Sequence, residues 1–106
     1  MKLIAILTTT ASHVEAREIA AALVERKLVA CAQISEIESF YRWEGAVHHE
    51  PEFRILLKTT EERYAAVESA IRELHSYTLP AIVAIPIDRA YEPYAEWVAG
   101  ESAGEA

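Results

Sequence analysis

The chain has 106 residues, 52% of them hydrophobic, and this length and composition indicate a single domain, residues 1–106, with a hydrophobic core. The formal net charge of −7 argues against nucleic acid or an anionic membrane as a partner, because their phosphates would be repelled. Cys31 is the only cysteine, which excludes an intrachain disulfide and favours a reducing, cytoplasmic location.

The first strand and helix are predicted from an apolar run and a capping pattern. Residues 3–7 are uniformly apolar, as in a buried strand; the run is too short to span a membrane and no clear signal-peptide cleavage site follows it. Ser12 and Glu15 have the capping-box spacing, so a helix should begin at His13. The apolar positions expected on its buried face are Ala16, Ile19, Ala20 and Leu23.

A β-hairpin is predicted over residues 28–59. Glu44-Gly45 is typical of a two-residue hairpin turn, and it would place Ile34 opposite Ile55. Alternation then gives the base of the hairpin one apolar face and leaves aromatic side chains exposed at the tip. That apolar face comprises Ile34, Phe40, Val47, Phe53, Ile55 and Leu57.

The length of this hairpin predicts an assembly. Residues 33–43 would extend about 37 Å at roughly 3.4 Å per residue, far beyond an ordinary strand. Two short helices cannot cover such an arm. We therefore expect its upper half to pack on neighbouring subunits. A bulge or bend is also expected at Pro51, which cannot donate a hydrogen bond to its strand neighbour.

The second half of the chain repeats the strand and helix signals. Thr59 and Glu62 again have the capping-box spacing, and an amphipathic helix should follow. Its apolar positions are Tyr64, Val67, Ile71 and Leu74. Residues 75–80 should form a loop.

A last strand and a short helix are predicted near the C-terminus. Residues 81–87 are mostly apolar, and Pro86 within them indicates a strand that lies on an edge or ends at the proline. Pro93 suits the first turn of a final helix. Residues 100–106 are expected to be a frayed tail. The order β-α-β-β-α-β plus a short C-terminal helix is an α+β, ferredoxin-like split βαβ fold, in which Cys31 lies on an edge strand.

Residues along nearly the whole chain, from 3 to 97, resemble the CutA divalent-cation tolerance family. The residues that carry the resemblance are Ile19, Ala20, 23–25, 28–32, Ser39, Tyr41, Trp43, Gly45, 58–60, His75, Tyr77, Pro80, Pro86, Tyr94 and Trp97. The resemblance implies a cytoplasmic, ferredoxin-like homotrimer whose long hairpins cross between subunits. It also implies a role in tolerance of copper and other divalent cations, bound weakly rather than held as a tight cofactor.

Several departures from the family pattern remove candidate metal ligands. Thr8 stands where some members have cysteine, Leu74 where some have a second histidine, and Ala81 where glutamate is usual. His75 and Cys31 remain as candidate metal ligands. The alternative interpretations are a loop histidine hydrogen-bonded near a helix end and a packed core thiol.

Two other groups of residues are weighed as binding residues. His48 and His49 should point to opposite faces of the hairpin, so they cannot easily chelate one ion, and a solvated hairpin tip or adventitious metal capture is the favoured interpretation. Four further residues are candidates for lining an intersubunit cleft, and the alternative for them is interface packing. These residues are Tyr41, Trp43, Lys58 and Tyr77.

Lys58 motivates an alternative function, a PII-like module that holds a small anionic ligand in that cleft. An enzyme is not expected. The chain has no Gly-rich phosphate loop, and no spacing suggests a Ser-His-Asp or Cys-His catalytic set.

Overall fold

A computed structural model describes residues 2–104 and confirms the α+β, ferredoxin-like architecture. The elements are β1 (Leu3–Thr10), α1 (His13–Glu25), β2 (Cys31–Trp43), β3 (Ala46–Thr60), a 3-10 turn (Glu61–Arg63), α2 (Tyr64–Leu74), β4 (Val83–Ile87) and α3 (Glu92–Glu101). The strands form one antiparallel sheet in the order β2-β3-β1-β4. Strands β2 and β4 are therefore the edges, as predicted, and Cys31 lies on one of them. None of the helices in residues 2–104 is long and apolar enough to cross a membrane.

The main core lies between one face of the sheet and helices α1 and α2. Alternate residues of the central strands point into it, among them Ile6 of β1 and Ile55 of β3. Each such fully buried side chain contributes roughly 1.5–3 kcal/mol. Helix α3 packs on the opposite face, where Val98 contacts a small cluster with Leu3 and Ala30. The rest of that second face, called the open face below, carries no helix.

The first helix begins as predicted, but the second does not. The Ser12 hydroxyl accepts a hydrogen bond from the backbone N–H of Glu15 at 3.1 Å. Thr59 does not start a capping box, because it belongs to β3 and its buried hydroxyl donates to the Leu28 carbonyl at 2.8 Å. A 3-10 turn intervenes, and α2 begins at Tyr64 without a side-chain cap. The tertiary contact of Thr59 therefore overrides the local pattern.

The hairpin turn and its register are as predicted, with Trp43 opposite Ala46 and Ile34 opposite Ile55. The expected bulge at Pro51 is wrong, since the pairing runs without interruption from the turn to Cys31. Strand β1 ends opposite Phe53, so beyond that point β3 has a strand neighbour on one side only. Proline is tolerated at such an edge without a bulge. The paired strands beyond Phe53 project from the sheet and form the arm.

The end of the chain is packed rather than frayed. Gly100 and Glu101 belong to α3, and Ser102 is buried with its hydroxyl donating to the Val98 carbonyl. The backbone N–H of Gly104 donates to the Lys27 carbonyl at 2.9 Å. The expected frayed tail is thus wrong as far as residue 104, and residues 105–106 lie outside the described part of the chain. The proline of β4 lies on an edge strand and the proline of α3 lies in its first turn, as predicted, but β4 begins at Val83 rather than at residue 81.

The turn carries strain that a substitution can relieve. Both turn residues have positive φ, +49° at Glu44 and +79° at Gly45. A non-glycine L-residue pays about 1 kcal/mol for this conformation, and asparagine tolerates it better.

We expect Glu44→Asn to raise the free energy of unfolding by about 0.5–1 kcal/mol, measured by chemical denaturation. Gly45→Ala should lower it by about 1 kcal/mol through backbone strain alone, because an added Cβ would meet no atom within 4 Å. A destabilised Glu44→Asn variant would contradict this account.

Candidate functional site

The open face of the sheet holds a cleft where the arm meets the loop that follows α2. Its volume is about 750 Å³. The residues that characterise this arm cleft are Glu38, Tyr41, Trp43, Glu52, Tyr77 and Leu79. Alternation along the strands explains the position of three of them, because Tyr41, Trp43 and Glu52 point away from the face that carries α1 and α2.

A buried carboxylate joins the loop to the arm. Glu52 is only 9% exposed, and its Oε2 accepts a hydrogen bond from the Tyr77 hydroxyl at 2.8 Å. Burial, together with this hydrogen bond, raises the pKa of Tyr77. Further out on the arm, the Tyr41 hydroxyl donates to Glu50 at 2.6 Å, and this bond raises the pKa of Tyr41. Both phenols therefore stay protonated and neutral at physiological pH.

His75 holds the loop that carries Tyr77. Its ring is fully buried, Nε2 donates to the Thr9 carbonyl at 2.7 Å, and Nδ1 accepts from the Tyr77 backbone N–H at 3.0 Å. The next residue is also fixed, since the backbone N–H and the hydroxyl of Ser76 both donate to the Glu15 carboxylate. A metal ion could reach His75 only by displacing one of its two hydrogen bonds.

Lys58 and Cys31 lie together on the same side of the sheet as the open face, at the end where α3 packs. They are paired across β2 and β3, and both contact the Tyr94 hydroxyl, with Lys58 Nζ at 3.2 Å and Cys31 Sγ at 3.7 Å. Lys58 Nζ also lies 5.3 Å from the centre of the Tyr94 ring. The four predicted cleft residues therefore separate: Tyr41, Trp43 and Tyr77 line one cleft, and Lys58 lies outside it.

The two neighbouring histidines point to opposite faces of the arm, as expected. His48 stacks on Tyr41, and its Nδ1 lies 3.7 Å from Glu50 Oε1. His49 belongs to the other face, where its Nε2 lies 3.0 Å from Glu38 Oε2. Each histidine thus has one carboxylate partner. Within residues 2–104, no group of three or more His, Cys, Asp or Glu side chains could hold a metal ion.

Sequence reasoning missed Glu52 and Tyr94, the two residues that organise these sites. Glu52 shares a strand face with other charged residues, so its sequence context suggests a solvated glutamate. Its partner Tyr77 lies 25 residues away in sequence, and no local pattern marks the contact. Tyr94 follows Pro93 in the first turn of α3, which orients its ring toward Lys58, 36 residues earlier.

Comparison with known sequences shows similarity to one family along most of the chain. The family described as CutA1 divalent ion tolerance protein matches residues 4–101. The divalent-cation tolerance protein CutA of Archaeoglobus fulgidus is 42% identical over 93 residues, which is 88% of this chain and 91% of that protein. The protein of the same name from Thermus thermophilus is 40% identical over 94 residues, again 88% and 91% of the two chains.

Comparison with solved structures gives the same family. The structure described as the periplasmic divalent cation tolerance protein CutA from Archaeoglobus fulgidus has a TM-score of 0.92 and 39% identity, covering 94% of this chain and 98% of that chain. CutA from Synechococcus elongatus also has a TM-score of 0.92, with 35% identity, covering 95% and 90%. The long hairpin therefore belongs to a fold shared with those proteins.

The raised pKa of Tyr77 predicts a loss of stability in alkaline solution. Above about pH 10 the unfolded phenol ionises while the folded one stays protonated, so the free energy of unfolding falls as pH rises. We expect Tyr77→Phe to be less stable by about 1–2 kcal/mol at neutral pH, and to lose stability less steeply above pH 10. Denaturant unfolding across this pH range measures both effects. Tyr91→Phe, at a tyrosine that is 78% exposed, is the control and should follow the wild type. If the free energy of unfolding falls equally steeply with pH in Tyr77→Phe and in the wild type, Tyr77 is not the group responsible for the loss of stability.

Proposed function

Because this chain belongs to the CutA1 divalent ion tolerance family, we propose that it contributes to tolerance of divalent cations, copper among them, by binding them weakly as a homotrimer. The observation that carries the metal part is the set of two histidine–carboxylate pairs on the arm. One pair is His48 with Glu50, and the other is His49 with Glu38. An arm of this kind, in a chain of net charge −7, attracts cations.

The chemistry of these pairs supports weak binding and a preference for copper. Imidazole and carboxylate groups both bind divalent copper, which lies at the top of the affinity order of the first-row divalent ions. Each pair supplies only two donors, whereas a tight site needs at least three protein ligands. The sequence candidates His75 and Cys31 fit a metal less well. The imidazole of His75 is used on both nitrogens, and the nearest polar partner of Cys31 is a tyrosine hydroxyl.

Exposed apolar surface supports the trimer. Val83 and Ile85 of β4 are 53% and 49% exposed on the open face, and Phe40 and Val47 are exposed on the arm. The outer edges of β2 and β4 also carry backbone groups that no strand of the same chain pairs. Neighbouring copies of the chain would cover both the apolar face and the projecting arm. Burial of such surface stabilises an assembly by about 25 cal/mol per Å².

We also propose a binding role rather than catalysis, and a location in the cytoplasm. The family name denotes tolerance of divalent ions, not a reaction. The single thiol, Cys31, is compatible with a reducing compartment. The PII-like alternative has less support, because Lys58 lies outside the arm cleft and none of the residues lining the cleft is a lysine or an arginine. Fractionation of cells that express the protein tests its location, and recovery with periplasmic markers would overturn this proposal.

The trimer can be tested by native mass spectrometry. We expect the wild type to be trimeric and Trp43→Asp, at an exposed position of the arm, to shift it toward monomer, because a charge would be buried at the interface. Val14→Asp is the matched control. Val14 is 60% exposed on α1, away from the open face, so this variant should remain trimeric. A monomeric wild type would overturn the proposed assembly, and a trimeric Trp43→Asp variant would show that the arm tip does not carry it.

The metal part can be tested by calorimetric titration with copper. The double variant His48→Ala/His49→Ala should bind copper about tenfold more weakly, the equivalent of about 1.4 kcal/mol. His13→Ala, which removes an exposed histidine outside the arm, is the control. We expect His75→Ala to retain wild-type copper affinity while losing stability, since its ring is structural. Copper affinity that falls in His75→Ala alone would instead place the site at the loop.

A further inference from the structure

We propose that the arm of each copy docks on the open face of a neighbouring copy, so that Arg54 of one copy pairs with the buried carboxylate of Glu52 in the next. The pairing rests on the homotrimer proposed above, and it adds which two surfaces meet and which charges join them. Three observations carry it, namely the separation of charge along β3, the unpaired guanidinium of Arg54 and the free oxygen of Glu52.

The charges on the open side of β3 are separated along the strand. From the arm inward, the side chains on this side are His48, Glu50, Glu52, Arg54, Leu56 and Lys58. The arm is therefore acidic, and none of the residues that line its cleft is a lysine or an arginine. The part of the strand that crosses the sheet is basic. A surface with two ends of opposite charge complements a second copy placed head to tail.

Arg54 is the cation that lacks a partner. Its neighbours across the two adjacent strands are Thr9 and Ser35, neither of which carries a charge. Within residues 2–104 its guanidinium forms no salt bridge, although Glu52 lies only two residues away on the same face of the strand. The residue is exposed in the single chain, where water solvates the charge. A copy that covers this face removes that water, and burial of a charge is unfavourable unless a carboxylate accompanies it.

Glu52 offers the matching acceptor. Its Oε2 accepts the hydrogen bond of the Tyr77 hydroxyl, whereas Oε1 accepts no hydrogen bond within residues 2–104. The residue is largely buried, yet it lines the arm cleft, whose volume of about 750 Å³ admits a side chain from another molecule. A guanidinium suits this position, because its planar N–H groups bind carboxylate oxygens more strongly than a neutral donor does.

A second copy fits these surfaces better than an unrelated partner. In a closed ring of identical chains every arm meets one sheet and every sheet meets one arm, so both charges are neutralised in equal number. The arm projects beyond Phe53, where its own sheet has ended. Val83 and Ile85, which are half-exposed on the same side of the sheet as Arg54, would be covered in the same contact.

The first test is cross-linking between two co-expressed variants, each in a Cys31→Ser background. One variant carries Glu52→Cys, the other carries Arg54→Cys, and the assembled mixture is treated with a short bismaleimide. We expect a covalent heterodimer in the mixture and no covalent dimer in either variant alone. Cross-linking of the Arg54→Cys variant alone would overturn the proposal, because it would place the Arg54 side chains of different copies against each other. A trimeric mixture without the heterodimer would also overturn it.

Charge variants test the pair without a cross-linker. Arg54→Glu would place a second negative charge beside the partner's Glu52, so the dissociation constant of the assembly should rise at least about tenfold. Arg54→Lys keeps the charge and should remain assembled. Arg17→Glu makes the same change in net charge as Arg54→Glu on the exposed surface of α1, and it should behave as the wild type. Native mass spectra over a dilution series measure all three, and equal effects of Arg54→Glu and Arg17→Glu would refute the pairing.

The outcomes separate this pairing from the homotrimer on which it rests. A monomeric wild type would refute the homotrimer itself. A trimeric wild type whose Arg54→Glu variant assembles equally well would leave the homotrimer intact and refute only the pairing. Glu52→Cys removes the acceptor of the Tyr77 hydroxyl and can lower stability. The Arg54 variants leave that hydrogen bond in place, so they decide the matter even where Glu52→Cys does not fold.

Discussion

The register of the β2–β3 hairpin is the constraint on which most other features depend. The turn at Glu44-Gly45 sets it, and every pair down to Cys31 and Lys58 follows. Side chains alternate between faces, so a slip of one residue would move Ile55 out of the core and Glu52 into it. The same alternation places the hydrophobic core at the base of the hairpin and the cleft residues on its other face. Core and candidate site are thus two consequences of one pairing.

The loop between α2 and β4 illustrates how a residue with metal-binding chemistry can serve structure instead. His75 satisfies the Thr9 carbonyl at the end of β1 and the backbone N–H of Tyr77. These bonds, with those from Ser76 to Glu15, fix the loop so that the Tyr77 hydroxyl reaches Glu52. Buried polar groups need such partners, because an unsatisfied one costs about 1–3 kcal/mol. Both ring nitrogens of His75 are thus used in hydrogen bonds, and either bond would have to break before the imidazole could bind a metal ion.

The arm extends the sheet beyond the hydrophobic core. Strand β1 ends opposite Phe53, and only the β2–β3 pair continues beyond it. The projecting part carries aromatic rings, carboxylates and two histidines, which are groups suited to cations. Lys58, the nearest candidate for an anion site, lies at the base, where Tyr94 satisfies it. The Lys58 ammonium is therefore separated from the carboxylates of the arm.

The sequence alone determined the features that depend on local pattern. Hydrophobic periodicity predicted the order of elements, Ser12 the start of α1, and the Glu44-Gly45 turn between alternating runs the long hairpin and its register. Periods of two and 3.6 residues and capping preferences act over a few neighbours and can be read directly.

Only the tertiary structure decided which candidate residues meet. It separated Lys58 from Tyr41 and Tyr77, brought His75 to a carbonyl 66 residues away, and packed Gly104 against Lys27. Such contacts follow from how the sheet, helices and loop pack in three dimensions, and burial then determines which polar groups must find a partner. No pattern within a few residues encodes that choice.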